Sequence, residues 1–564
     1  MKRFYLRLLT ILAVAVPGAA QTPTITSGGV VNAASYTPAG LPGGGIAQGS
    51  LFIVFGKNMG PAALQQINAY PLPTALAGTS INVTAGGASV KPLMVYTSAG
   101  QLAAIMPSAT PIGSATLTVA YNGQTSNPAP VQVVASSFGA FSVNQGGNGP
   151  GIVSDASYQV AGATQAAQPG ETYILWGTGL GAVTGDEAAG PVPGDLTNVP
   201  VEVYVGGQMA KVAYRGRSGC CAGLDQIVFQ VPAGVTGCRV SLAVKIGNVV
   251  GNFVTMPIAA GGRTCSDPAG LSTGDLQTLS QQGTVAFGFI SLSRTSSVLT
   301  LPPPLGNGQP MTNTTESGFA LFEKFDFSQV NAGGASQLFG ISNFGACSVF
   351  TFTGNAGSLV TVTGDFKSVG LDAGAALTVT GPNGAKQIAK EANLPGFYGV
   401  NFNAGPLGVP TTAPPYLTKG SYQFTGPGGV DVGAFTATLN LSDPLVWTNE
   451  DGINTVARAQ GLNVTWTGGD PNAYVSIGGF AFSGTTNPVG AEFSCVEKVS
   501  AGQFTVPPVI LLALPASTTV GPAGFSVNSL SVGTSTLPVK FSAPGLDVGY
   551  ATSSASASKS VTYQ

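Results

Sequence analysis

Residues 46–60 read I-A-Q-G-S-L-F-I-V-F-G-K-N-M-G, and residues 167–181 read A-Q-P-G-E-T-Y-I-L-W-G-T-G-L-G. Gly49, Gly56 and Gly60 return as Gly170, Gly177 and Gly181, each 121 positions later, with an apolar run of equal length between the first two. Around this frame Ala34-Ser35-Tyr36 returns as Ala156-Ser157-Tyr158, Gly86-Gly87 as Gly206-Gly207, and Gln101 to Pro107 as Gln226 to Pro232. The repeat predicts two tandem domains, at 22–136 and 137–260. The runs 51–55 and 172–176 are continuously apolar, which suits strands covered on both faces. Alternating strands at 79–85 and 201–205 close in Gly-Gly turns. Strands at 115–121 and 240–246 run into Asn122-Gly123 and Gly247-Asn248, dipeptides of tight hairpins.

The composition agrees with short strands and many turns. Of 564 residues only 8 % are charged, against roughly 25 % in an ordinary soluble domain, while 81 Gly and 40 Pro interrupt a background that is 44 % hydrophobic. Disorder needs low hydrophobicity and high net charge, so a folded chain is expected. Residues 1–20 start with Lys2, Arg3 and Arg7, continue through the apolar run 8–16 and end in Pro17-Gly18-Ala19-Ala20, the order of a secretory signal peptide. Without them 21 basic residues fall to 18 against 23 acidic ones, a net charge of −5. That argues against nucleic acid, whose binding rests on clustered cations. No segment of the mature chain has the roughly 20 apolar residues of a membrane span. The expected localisation is secreted or cell-surface.

The longer frame carries a resemblance. The Gly49–Gly60 pattern, with V-V-N-A-A-S-Y at 30–36, L-P-T-A-L-A-G-T-S-I-N-V at 72–83 and G-C-C-A-G-L-D-Q-I-V-F-Q-V-P at 219–232, resembles the IPT/TIG immunoglobulin-like family and a secreted paralogous family expanded in Acidobacteria of the Solibacter type. The resemblance covers about residues 25–260 and implies an exported tandem β-sandwich module with no established catalytic activity. In that family the module usually closes the chain, whereas here some 300 residues follow. The expected fold class is all-β: tandem immunoglobulin-like (IPT/TIG-like) β-sandwiches, then a further β-sandwich region. The expected divisions are a connector at 261–310, a β-sandwich region of one or two subdomains at 311–515, and a β-rich segment at 516–564 with a Ser/Ala-rich loose tail.

Six cysteines in an exported chain suggest three disulfides. Cys347 and Cys495 form the long-range pair. Among Cys220, Cys221, Cys238 and Cys265, either the adjacent cysteines each bond to one of the other two, or they bond to each other while Cys238 meets Cys265. Zinc is disfavoured because there is no C-x-x-C pair and the chain holds no histidine. The missing histidines also remove Ser-His-Asp and Cys-His machinery. No cofactor and no metal site is expected, and Asn449-Glu450-Asp451-Gly452 reads as a tight turn before it reads as a Ca²⁺ loop.

Three functions remain. The first is a non-catalytic extracellular adhesion or scaffold protein that meets an extracellular protein through sheet edges or the loop 214–224, with Tyr214, Arg215 and Arg217. The second is a polysaccharide-binding protein using aromatic faces such as Trp447 or Tyr474, while Trp466, alternating with polar neighbours, is expected in a core. The third is a glycoside hydrolase working through paired carboxylates, drawn from Glu316, Glu323 and Asp326, from Glu450 and Asp451, or from Glu492 and Glu497.

Overall fold

The computed structural model describes residues 21–267, 270–300, 310–328, 344–353, 367–403, 414–484, 488–517 and 528–564. The leader expected at 1–20 and the proline run at 301–304 lie outside the described residues. The chain is all-β, built from several sheets. Among the described residues no helix is long and apolar enough to cross a membrane.

Two sheets enclose the first core. One runs Thr24–Asn32, Leu51–Lys57, Gln101–Ile105, Leu93–Thr97 and Gln65–Gln66. The other has Ala129–Val134, Gly113–Tyr121 and Thr79–Ala85 at its centre. Period-two alternation aims Ile81, Val83 and Ala85 inward against Phe52, Val54, Leu102 and Ala104. Each such side chain contributes about 1.5–3 kcal/mol when fully buried. The other face of 51–55 is covered as well, since Ile53 and Phe55 pack with Val31, Ala103, Tyr36 and Tyr96.

The next ten-stranded sheet folds over on itself through the strand Gln208–Arg217. One end of that strand pairs with Val201–Val205 up to Ala210 and the other with Asp225–Gln230 from Lys211 onward, and a bulge between Val212 and Tyr214 falls within the second pairing. Folding brings Val203, Leu242 and Met256 against Leu175, Ile227 and Phe229. Gly56 and Gly177 recur because another strand passes close over each. A Cβ on Gly56 would sit 2.1 Å from the Thr24 carbonyl oxygen, and one on Gly177 would sit 2.3 Å from that of Gly139.

The two cores are joined by a buried knot. Arg217, 2 % exposed, forms an ion pair with Asp225 and donates to the carbonyls of Gly49 (2.7 Å) and Gly181 (2.6 Å). The other oxygen of Asp225 accepts from the amides of Gly179 (2.7 Å) and Leu180 (2.8 Å). Beside it Asn32 donates to the carbonyls of Ser137 and Thr178, and Leu51 N–H donates to Thr178 Oγ1. The basic residues expected on a ligand loop therefore sit elsewhere. Tyr214, Arg215 and Arg217 belong to a strand, because the hairpin continues three pairs beyond Val228 to Arg217–Asp225.

A fourteen-stranded sheet dominates the remainder, running from Thr284–Thr300 to Val548–Ser560 in sequence and so crossing the divisions expected at 310 and 515. One half curls around Leu292, Phe322, Val379, Tyr422, Phe424 and Phe435. The other half is covered by a three-stranded sheet and encloses Val464, Trp466, Ile477, Phe493 and Val532. The expected connector is a helix, Thr273–Gln282, followed by a 17-residue strand. Ser272 and Asp275 form a capping box and Gly283 closes the helix at φ 75°. The expected loose tail is the strand Val548–Ser560, held between Thr284–Thr300, to which it is parallel, and Ser529–Ser535. Small side chains suit that crowded position. Ser554 and Ser556 meet Ser293 and Thr295 at 3.2 Å across the parallel pair.

Two disulfides are present where three were expected. Cys238 bonds to Cys265, and Cys347 bonds to Cys495, its direct cross-strand neighbour. Cys220 and Cys221 are free, exposed thiols at a hairpin tip.

Two stability tests follow from this architecture. Asp225→Asn leaves the Arg217 guanidinium buried without its counter-charge and should cost about 3–5 kcal/mol in denaturant unfolding. A loss under 1 kcal/mol would mean the knot is not structural. Replacing both Cys347 and Cys495 by serine frees a closure spanning 148 residues and should cost up to about 4–5 kcal/mol. That loss should vanish when wild type is compared under reducing conditions.

Candidate functional site

Three parts of the chain converge on a groove of about 1190 Å³. The first sandwich supplies the edge strand Thr24–Asn32, Tyr36, Phe55 and Gln101. The second contributes 145–148 and 250–253, and the large sheet adds its own edge strand, Ala346–Thr353. Val250 and Phe253 belong to the same core as Val349 and Cys347, so the far wall is fixed to the second sandwich by apolar packing. Among the described residues both flanking strands are outermost in their sheets and leave one backbone edge unpaired by the sheet.

None of the groove's lining residues carries a charge. Instead it presents aromatic rings and amides. Tyr36 and Phe55 lie with ring centroids 6.3 Å apart at 32°, and Phe350, 40 % exposed, stands on the other wall. Tyr36 holds a left-handed backbone, φ 53°, which a bulky residue adopts at a cost of order 1–3 kcal/mol. The Asn32 carboxamide fixes the turn before it by accepting from the amides of Ala34 and Ser35. Gln101, in register with Phe55, donates to Tyr96 Oη at 2.5 Å. Burial pushes Tyr96 up to about 12, with the neighbouring Tyr36 adding to it, and burial raises Tyr36 too. Both phenols are therefore neutral donors at physiological pH. Asn127 and Asn252 spend their amides on backbone, the first on Ile25 and the second on Ala140 and Gly147, and so hold the groove's loops in place.

The residues singled out from sequence lie away from this groove. Trp447 is 6 % exposed, donates to Asn449 and belongs to a core, so it offers no stacking face. It ends the three-residue strand Leu445–Trp447, too short for an alternating pattern that would have shown the burial. Tyr474 is half-buried against Phe344, with ring centroids 6.4 Å apart, and burial raises its phenol. Tyr214 donates to the Arg217 carbonyl, and Arg215 stands 3.5 Å from Asp195. Nothing in the sequence separated Tyr36 and Phe55 from the repeat they mark. The one available signal was that an aromatic side chain, and not glycine, occupies a turn position.

Two of the candidate carboxylate pairs are held apart, whereas Glu450 and Asp451 are adjacent on a turn, where burial, against Lys559, and then Asp451 raise the Glu450 carboxyl. Glu492 and Glu497 are five positions apart on one strand, as Glu316 and Glu323 are seven apart on another. Odd spacing sends them to opposite faces, and the rise of about 3.3 Å per residue separates them by roughly 16 Å or more. A hydrolytic pair needs about 5–9.5 Å. Glu316 is wholly buried and accepts the amides of Tyr416 and Leu417. In the 449–452 turn, Asn449 Oδ1 already accepts from Trp447 and Thr465.

No protein-family model matches the chain, and no curated protein matches it. Among solved structures, the Bacteroides ovatus mixed-linkage glucan utilization locus SGBP-B, in complex with a mixed-linkage heptasaccharide, is 10 % identical over 76 % of this chain and 87 % of its own, at a TM-score of 0.14. SGBP-B from a complex xyloglucan utilization locus in Bacteroides uniformis is 10 % identical over 85 % and 100 %, at 0.18. The surface layer protein SbsC, domains 4–9, is 11 % identical over 94 % and 83 %, at 0.14. These are similarities of loosely superposed β-architecture, and no residue role is carried across.

Glu323 gives a pH test of the carboxylates. Burial raises its carboxyl, against a hydrogen bond to Ser368, and Oε2 has no hydrogen-bond partner among the described residues. A folded value above the unfolded one means both states are protonated at low pH. Stability is then lost as pH rises through the ordinary glutamate range near about 4.3. Glu323→Gln, which never ionises, should therefore be more stable than wild type at pH 7 and equal to it near pH 3. Equal stability at both values would remove the burial argument.

Proposed function

We propose that this protein is a non-catalytic extracellular adhesion or surface protein that holds a neutral polysaccharide in the groove between its first sandwich and its large sheet. The supporting observation is the chemistry of the lining: rings of Tyr36, Phe55 and Phe350 with amide and hydroxyl groups, and no charge. Sugar rings offer apolar C–H faces and a rim of hydroxyls, so aromatic planes and neutral hydrogen-bonding groups complement them, whereas an anionic ligand would find no counter-charge. The same reading takes residues 1–20 as an export leader, 22–136 and 137–260 as the tandem IPT/TIG-like pair of a Solibacter-type secreted family, and the partner as extracellular. Absent histidine and the separation of Glu316 from Glu323 and of Glu492 from Glu497 support a binding role over turnover.

A second reading, adhesion to protein, is favoured by one observation: the outer edge of Ala346–Thr353 faces the groove and is unpaired by the sheet. An extended peptide would add there as a further strand. Titration with soluble mixed-linkage β-glucan or xyloglucan separates the two. Polysaccharide binding should weaken about tenfold in Phe55→Ala, the loss of roughly 1.4 kcal/mol expected of one stacking ring, and more in the double variant with Tyr36→Ala. Neutral glycans that bind neither form, or bind both equally, would reject the groove as a glycan site.

A further inference from the structure

The groove's aromatic constellation occurs a second time, on an open surface. Tyr158 adopts φ 63°, as Tyr36 adopts φ 53°. Its ring lies 6.1 Å from that of Trp176 at 42°, against 6.3 Å and 32° for Tyr36 and Phe55. Trp176 is cross-strand partner of Gln226, and Phe55 of Gln101. Both copies continue into a bulged strand whose first residue past the bulge is a tyrosine, Tyr96 opposite Ala103 and Tyr214 opposite Val228. A turn tyrosine, a strand aromatic, an in-register glutamine and a post-bulge tyrosine therefore share one outer sheet face in each sandwich.

Packing does not account for the second copy. Tyr158 is 68 % exposed, and its left-handed backbone costs free energy that no buried contact returns. The turn is nonetheless built firmly: Asp155 accepts from the amides of Ser157 and Gln159, and the Tyr158 amide donates to the Asp155 carbonyl. Trp176 Nε1 donates to Ser154, which fixes the indole plane beside the tyrosine. An exposed, oriented Tyr–Trp pair with an amide beside it has the chemistry of the groove wall without the opposite wall.

We propose that Tyr158, Trp176 and Gln226 form a second glycan-binding platform that takes the same class of neutral polysaccharide as the groove, so that one chain is gripped at two places. The proposal rests on the glycan reading of the groove. Two weak sites on a rigid pair of sandwiches gain avidity for a polymer that reaches both and none for a short oligomer that fills only one.

The experiment is calorimetric titration of the full chain with a β-glucan heptasaccharide and with the parent polymer. Wild type should take up about two oligosaccharides, and Trp176→Ala about one, bound as in the groove. Tyr158→Ala is the second variant, because so exposed a side chain can be removed without disturbing a core. Both variants should lose roughly tenfold or more in affinity for polymer, and Tyr158→Ala should do so while retaining the wild-type melting temperature. Phe55→Ala should leave the complementary single site. A wild-type stoichiometry of one, unchanged by Trp176→Ala or Tyr158→Ala but lost in Phe55→Ala, would overturn the second platform and leave the groove standing. Binding lost in no variant, or absent from wild type, would reject both.

Discussion

The Arg217–Asp225 pair is the constraint from which the rest of the geometry follows. A guanidinium and a carboxylate taken out of water need almost every lone pair and proton matched, or the desolvation cost prevails. Here the matching groups come from two sandwiches, with the Gly49 carbonyl on the first and the Gly179, Leu180 and Gly181 backbone on the second. These contacts form only in one relative placement of the two, with the buried Arg217 Nε left without a partner among the described residues. Burial pushes the Asp225 carboxyl up, while Arg217 and the two amides oppose it. The repeated glycine at 49 is part of the same arrangement, because a Cβ there would come within 2.1 Å of the Arg217 guanidinium. The groove inherits this rigidity. Its near wall is carried by the first sandwich, and its far wall is tied to the second through Val250 and Phe253.

The first 260 residues were legible because their strands obey the rules sequence reading relies on. Glycine turns bracket apolar runs, hairpin dipeptides follow alternating strands, and a displacement of 120 to 125 residues doubles each signal. The later half was less legible for a physical reason. In 551–558 and 295–297 both neighbours are strands and the side chains are Ser, Thr and Ala. Such strands are held by backbone hydrogen bonds and hydroxyl contacts, with no hydrophobic period to read. The helix at Thr273–Gln282 had its capping box in plain sequence, but only Leu276 and Leu279 are buried from it, too few to stand out as an amphipathic pattern. Trp466 was placed in a core by its alternation, whereas Trp447 sits on a three-residue strand too short to alternate.

The candidate site was hidden by the very repeat that revealed the architecture. Ala-Ser-Tyr at 34–36 and 156–158 reads as a marker of equivalence, and the meaning of the tyrosine appears only once its backbone is known to be left-handed and its ring to face the aromatic of the next strand. Register supplied the rest. Whether Gln101 lies beside Phe55 depends on a cross-strand pairing that sequence spacing alone does not give. The charged residues that drew attention instead are used up by structure, Arg217 in the knot and Glu316 under the amides of Tyr416 and Leu417.

The two copies differ in the way their surroundings require. In the groove a second wall faces the aromatic pair, position 55 is a phenylalanine and its partner Tyr36 is half-buried. On the second sandwich no wall among the described residues closes over the exposed Tyr158, and the strand ring there is the larger indole of Trp176, tied down through its nitrogen to Ser154. A binding face exposed to water gains less per contact from desolvation, and a wider, immobilised plane offsets that loss by enlarging the contact and reducing the rotamer entropy surrendered on binding. On the proposed glycan reading, wall and indole are two solutions to the same requirement, a flat apolar surface oriented before its ligand arrives.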